Sequence, residues 1–288
     1  MRGANSCLVV GLILCMSLAT VCGEDADSHV VALEKLDSSL WVSTSGEYAA
    51  CARQTYNSAT EKLELALRDK TWTASTEQFE HGKYHDLPPA VIVNLDETVW
   101  NNTPYEARLI LWYALFDYDQ YSAWADEASC PLIPGAKQFL ERASDRDVAI
   151  FYLSPRGENM RDGTINNLRK LELPYDPPKD QLLLGGEWAN HKKREEVGEK
   201  YRILLIVSDY LGDFMHNTET EPAKRREMAE RYADNWGLKW FVVANPMYGH
   251  WDYSLYQFQY GLKHEEQVQE KLKFLDPGKT KDPVKKDK

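Results

Sequence analysis

The feature that most constrains the fold is a change of rhythm after "DLPPA" at 86–90. From there the chain alternates short apolar runs, at 91–93, 148–153, 181–184, 203–207 and 240–243, with segments of helical spacing at 135–143, 157–171, 189–200 and 221–236. Runs this short and continuously apolar are the pattern of strands buried on both faces. Strands that alternate with helices predict an α/β domain with a largely parallel sheet, covered by helices on each side. In such sheets ligands sit beyond the carboxyl ends of the strands.

Upstream, Thr44 and Glu47 have the spacing of a capping box, and Tyr48, Cys51, Tyr56, Ala59, Leu63 and Leu67 follow at nearly helical period. This predicts a long amphipathic helix whose apolar stripe packs against the core, within an N-terminal helical region at 24–85. The sheet-bearing core is expected over 86–266. Between Trp100 and Cys130 an aromatic-rich insertion carries Trp112, Tyr113, Phe116, Tyr118, Tyr121 and Trp124; a lid over the site and an ordinary packing element are both compatible with it. Residues 267–288 read as a charged tail, and beyond Pro277 apolar periodicity is gone, so that end is expected to be disordered.

The first 23 residues have the form of a secretory signal peptide: Arg2, then the apolar stretch "CLVVGLILCMSLATV", with Asp and Glu absent until Glu24. The expected product is exported, periplasmic or secreted, with an outer-membrane lipoprotein anchored through Cys22 as the alternative and membrane contact only in that case. Cleavage would leave two cysteines, Cys51 and Cys130, to pair or stay free. It would also remove Arg2, the single charge of the segment, taking the net charge from −11 to −12. Such a surface repels a nucleic acid polymer, so a small molecule or a cation is the expected partner.

Reactive polar groups recur where predicted strands end. Asn94 and Asp96 follow the first, Ser154 and Arg156 the second, Asp209 and Asp213 the fourth, with Lys192 and Lys193 just ahead of that strand. Singly, each has a bland explanation as a cap or turn former. Together they supply carboxylates for a divalent cation and a hydroxyl, an Arg and a Lys for an anion, the ingredients of a Mg²⁺-assisted phosphate site.

On these residues the chain resembles a known family. "VNLDETVWNNTPY", "FYLSPR", "KYRILLIVSDYLGDF" and "ANPMYGHW", with "LWVSTSGEY" and "DKTWTASTEQ" upstream, are similar to the motifs of class C acid phosphatases of the haloacid dehalogenase superfamily. The resemblance implies a Rossmann-like parallel sheet with a small cap, Mg²⁺, and hydrolysis of a small phosphate monoester or nucleoside monophosphate. It implies a nucleophile at position 94 and an acid and base at Asp96, with Ser154 and Lys192 on the phosphoryl oxygens. The metal would be held by the side chains at 94 and Asp209 and the main-chain carbonyl of Asp96, with Asp213 in support. Thr98, Arg156, Tyr105, Tyr248 and Trp251 are the substrate-side candidates, and core packing explains the aromatics among them equally well.

The chain departs from this pattern where the chemistry is concentrated. Asn94 stands where the family has its attacking Asp, Pro155 replaces Asn, Ser208 replaces Gly, Tyr210 replaces Asp or Asn, and the spacing around Lys192 is shorter. An amide oxygen carries no formal charge, so Asn94 removes both the nucleophile and an anionic metal ligand. Two expectations follow: a phosphatase of reduced or altered activity, and a noncatalytic member that binds phosphate esters or a cation.

Overall fold

The structure is a computed structural model in which residues 31–175, 180–185 and 190–278 are described. The expected signal segment, Cys22 and the end of the tail lie outside those residues. Five parallel strands form one sheet: β1 (Pro89–Asn94), β2 (Ala149–Leu153), β3 (Leu182–Leu183), β4 (Arg202–Ser208) and β5 (Trp240–Val242). Their order is β3-β2-β1-β4-β5, which puts β1 at the centre, with Asn94 level with Leu153 of β2 and Val93 level with Val207 of β4. The chain turns outward in opposite directions from β1, so the crevice at its carboxyl end is the expected ligand position.

Because side chains alternate across a strand, β1 feeds two cores. Val91 and Val93 pack in one cluster with Tyr56, Leu63, Phe139 and Leu140. Ala90 and Ile92 face the other, with Phe151, Ile206, Phe214 and Trp240. The helices around the sheet are α1 (Leu36–Thr44), α2 (Gly46–Arg68), α3 (Thr76–His81), α4 (Thr103–Trp112), α5 (Tyr118–Glu127), α6 (Ala136–Asp145), α7 (Arg161–Lys170), α8 (Asn190–Gly198), α9 (Pro222–Arg231), α10 (His250–Tyr253) and α11 (His264–Leu272).

Helix α2 is the long amphipathic helix, but two of its expected details change. Its cap is Ser45, whose hydroxyl accepts from the Tyr48 amide at 3.0 Å, while Thr44 closes α1. Its buried face is Tyr48, Ala52, Tyr56, Ala59, Leu63 and Ala66; Cys51 points to solvent and Leu67 is half-buried. Cys51 and Cys130 are both free thiols, the first exposed and the second buried. Helix α11 runs through residues 264–272, so part of the segment expected as tail is helical.

The aromatic insertion is docked rather than poised above the sheet. Trp100, Tyr105 and Trp124 are buried in the first cluster, and Tyr105 stacks near Trp124 and edge-on to Tyr121. Helices α5 and α7 touch through Gly163, where a Cβ would fall 2.5 Å from the Ala125 carbonyl oxygen. The aromatics that stay exposed are Trp112, Tyr113, Phe116 and Tyr118, at and beyond the end of α4.

Candidate active site

Strand β1 delivers Asn94 at its end, and the turn that follows is folded back on the Leu95 carbonyl, which accepts from the amides of Val99 and Trp100 at 2.9 and 3.1 Å. Glu97 takes a left-handed conformation (φ 55) within this turn. The result is a knot of buried polar groups, Asn94, Asp96, Glu97 and Thr98, at the centre of the sheet.

Asp96 is saturated with donors. Trp100 Nε1, Asn102 Nδ2 and the Tyr121 hydroxyl reach its Oδ1 at 3.1, 2.9 and 3.2 Å, and the Ser154 hydroxyl reaches Oδ2 at 2.8 Å. Arg156 adds NH2 to Oδ1 at 2.7 Å and Nε to both oxygens at 3.1 and 3.2 Å. The guanidinium itself lies over the rings of Trp100 and Tyr121. Burial alone would raise the Asp96 pKa; the Arg156 charge and these hydrogen bonds outweigh it and hold the carboxyl below its ordinary range.

Asn94 has a different neighbour. Its Nδ2 donates to Asp213 Oδ2 at 2.8 Å, and the Ser208 hydroxyl donates to the same oxygen at 2.6 Å. Two of the positions at which the chain departs from the class C pattern therefore meet on one carboxylate oxygen. A third, Tyr210, folds its ring over Gly212, where a Cβ would fall 2.4 Å from the ring carbons. Asp209 accepts from the Thr98 hydroxyl at 3.2 Å and from Asn245 Nδ2 at 2.9 Å. Its carboxyl is pushed up to about 7 by burial, with Asp213 adding to the effect.

Glu97 accepts from the Tyr248 hydroxyl at 2.6 Å and from the Asn102 amide at 2.9 Å, both on Oε1. Burial pushes it up to about 8 against those hydrogen bonds. Its Oε2 and the Oδ1 of Asn94 are buried oxygens without a hydrogen-bond partner among the described residues. The Asn94 Oδ1 and the Asp209 carboxylate line one cavity, and oxygen donors are the ligand type of a hard divalent cation. The residues present fit such an ion by donor type, although among the described residues no three of Asp96, Glu97, Asp209 and Asp213 bring carboxylate oxygens within 4.8 Å of one another. A separate group, Glu77, Glu195 and His216, brings its ligand atoms within 4.8 Å of one another, but the buried Arg194 guanidinium already supplies it with a cation, 2.6 Å from Glu77.

A cavity of about 150 Å³ opens at this point, and its described lining includes Asn94, Asp96, Asp209, Tyr248 and Trp251 of the expected residues. Thr98, Tyr105, Ser154, Arg156, Lys192 and Asp213 are not part of that lining. Thr98 and Ser154 are sealed beneath it, Tyr105 belongs to the insertion core, and Arg156 is spent on Asp96. Lys192 is exposed. It is Lys193 that turns inward, its Nζ 2.5 Å from the Gly185 carbonyl and within the field of Asp213.

Asn102, which bridges Asp96, Glu97, Trp124 and Arg156, was not among the expected site residues, nor were Tyr121, Arg225 and His250. Asn102 and His250 had a signal, their places within "NNTPY" and "ANPMYGHW", and Tyr121 stood in the aromatic insertion; Arg225 had none.

The decisive comparison is with a family model: the HAD superfamily, subfamily IIIB (acid phosphatase), matches residues 29–251. The chain belongs to this acid phosphatase family. A solved acid phosphatase, the class C enzyme of Bacillus anthracis, is 28% identical and superposes with a TM-score of 0.76, covering 85% of this chain and 98% of that one. The same enzyme with tungstate bound matches equally well. The parallel sheet and its helical layers are thus the fold of this acid phosphatase family, whose chemistry is hydrolysis of phosphate esters.

Proposed function

We propose that this acid phosphatase relative binds a small phosphate monoester together with Mg²⁺, and that its own hydrolysis by the aspartyl-phosphate route is reduced to a trace. The observation that carries the reading is the pair of donors from Asn94 and Ser208 to Asp213. With Nδ2 fixed on Asp213, the Asn94 carbonyl oxygen is the free end of the amide. That oxygen can ligate a cation, but it has no charge with which to attack phosphorus. Loss of a nucleophile from a hydrolase costs on the order of 10⁶ in turnover.

The cation would be held by Asn94, Asp209 and the main-chain carbonyl of Asp96, with Asp213 behind them, and would supply neutralisation of phosphoryl charge. The remaining work falls to the chain. Asp96 is kept as a carboxylate by five donor side chains, so it has no proton to hand to a leaving alcohol. The same donors occupy both of its oxygens and lower its basicity, which makes it a poor base for water as well; this favours the noncatalytic reading over a phosphatase in which Asp96 activates water directly. Tyr248 and Trp251 line the cavity and would face the leaving group, and Trp251, 44% exposed, would offer it a stacking face. Tungstate on the Bacillus anthracis enzyme supports an oxyanion as the ligand of the family site. An exported location, periplasmic or secreted, rests on the reading of the first 23 residues.

Calorimetric titration of orthophosphate and of p-nitrophenyl phosphate, with and without Mg²⁺, tests the binding half of this reading. Saturable Mg²⁺-dependent binding that Asp209→Asn weakens is the expected result; absence of binding by either ligand overturns it.

A further inference from the structure

Among the described lining residues of the cavity there is one Lys or Arg, and it is Arg225 of α9. We propose that Arg225 anchors a second anion subsite in this cavity, so that the ligand is a small phosphate monoester bearing a further phosphate or carboxylate a short carbon chain away.

The argument starts from what Arg225 costs. It is 9% exposed, and a buried guanidinium stays charged. Burial works against that charge, while Glu219 and the Tyr210 phenol act on it through space. Its described hydrogen bond runs from NH1 to the Thr218 carbonyl. A neutral donor would anchor that carbonyl as well, without the desolvation of an ion, which costs several kcal/mol when unpaired. The other donors of the fork are not sealed off in the protein, and the residue lines the cavity. A planar fork of unspent donors beside an enclosed space suits a carboxylate or phosphate.

The position fixes what the anion belongs to. Arg225 adjoins Tyr210, the residue after Asp209, and the Tyr210 hydroxyl is tied to His250 Nδ1 at 2.9 Å. Arg225, from α9, and Asp209, after β4, thus line one cavity from different elements. Of the other described cations near the site, Arg156 is paired with Asp96 and Lys35 with Glu106, and Lys193, which donates to the Leu183 and Gly185 carbonyls, is outside the cavity lining. The volume, about 150 Å³, is below the roughly 300–1,000 Å³ of pockets that enclose drug-sized ligands. It admits a phosphoryl group and a few further atoms, so an anion that reaches Arg225 within the cavity lies close to the first.

This inference rests on the phosphate-ester reading, and its test separates the two. Dissociation constants are measured by calorimetry with Mg²⁺ for propyl phosphate and for its analogues with a terminal phosphate or a terminal carboxylate, on the intact protein and on Arg225→Gln. The expected result is an advantage of about tenfold or more for a doubly anionic ligand, the scale of one charge-assisted contact. Arg225→Gln should cancel that advantage and leave propyl phosphate within about twofold. Equal affinity of all ligands for the unaltered protein overturns the subsite, and needs no variant that might misfold. So does an advantage that survives in a folded Arg225→Gln protein. A loss of propyl phosphate binding as large as that of the analogues assigns Arg225 to the first phosphate and overturns the second subsite. Absence of propyl phosphate binding to the unaltered protein removes the phosphate-ester reading, and this inference with it.

Discussion

Arg156 grips Asp96 side-on, NH2 at 2.7 Å and Nε within 3.2 Å, with the guanidinium fully buried. In this arrangement Asp96 is a structural anion. Removing one partner of a buried pair leaves the other uncompensated, at a cost of about 3–5 kcal/mol. Asp96→Asn and Arg156→Met should therefore each destabilise the protein by about that amount in urea denaturation. Equal or greater stability of Asp96→Asn would show that the pair is not what holds the knot together.

Asn94→Asp puts a carboxylate where an amide now donates to Asp213 at 2.8 Å. The exchange replaces a hydrogen bond with like-charge repulsion, so the metal-free variant should lose about 1–3 kcal/mol. Added Mg²⁺ should restore more melting temperature to the variant than it gives the parent, because the variant offers one more anionic ligand. Thermal melts with Mg²⁺ and with chelator check both signs.

Acid stability should depend on Glu77. Burial opposes its ionisation, but the Arg194 charge and hydrogen bond, with a hydrogen bond from Ser75, hold it at about 2 against an ordinary 4.5. A carboxyl whose folded pKa is depressed stabilises the fold above its ordinary value and stops doing so as pH falls through the folded one. Glu77→Gln should thus be less stable than the parent near neutral pH by on the order of 3 kcal/mol. That gap should close as pH drops from 4.5 towards 2. Denaturation curves across that range measure it, and a gap independent of pH would refute the assignment.

The start of the long helix gives a sharper test of local structure. Ser45 accepts from the Tyr48 amide, so Ser45→Ala should cost about 1 kcal/mol. Thr44, already the last residue of α1, should tolerate Ala with a change of a few tenths. The ratio of the two effects in chemical denaturation identifies the cap.

The chain displays its sheet openly because buried parallel strands need continuous apolar runs, and 91–93 and 203–207 lie inside β1 and β4. The acids at strand ends were legible for the same topological reason. What was hidden depends on rotation and on distant segments. Lys192 and Lys193 are adjacent on α8, about 100° apart around a helix, and sequence alone does not say which faces in. Tyr121 reaches Asp96 only because the insertion docks on the core. Arg225 reads as one more charge on the polar helix "PAKRREMAER", and its burial is set by the loop through Thr218. Ser45 and Thr44 are both good caps, and one residue of register decides between them.

The central claim is that the site binds phosphate esters but has lost its attacking group. Its most direct test is turnover of p-nitrophenyl phosphate with Mg²⁺ at mildly acid pH by the parent and by Asn94→Asp. The account predicts a parent rate at the level of the uncatalysed background and a gain of activity in Asn94→Asp. Parent turnover near the ~10 s⁻¹ of a median enzyme, abolished by Asp96→Ala in a protein that still folds, would contradict it.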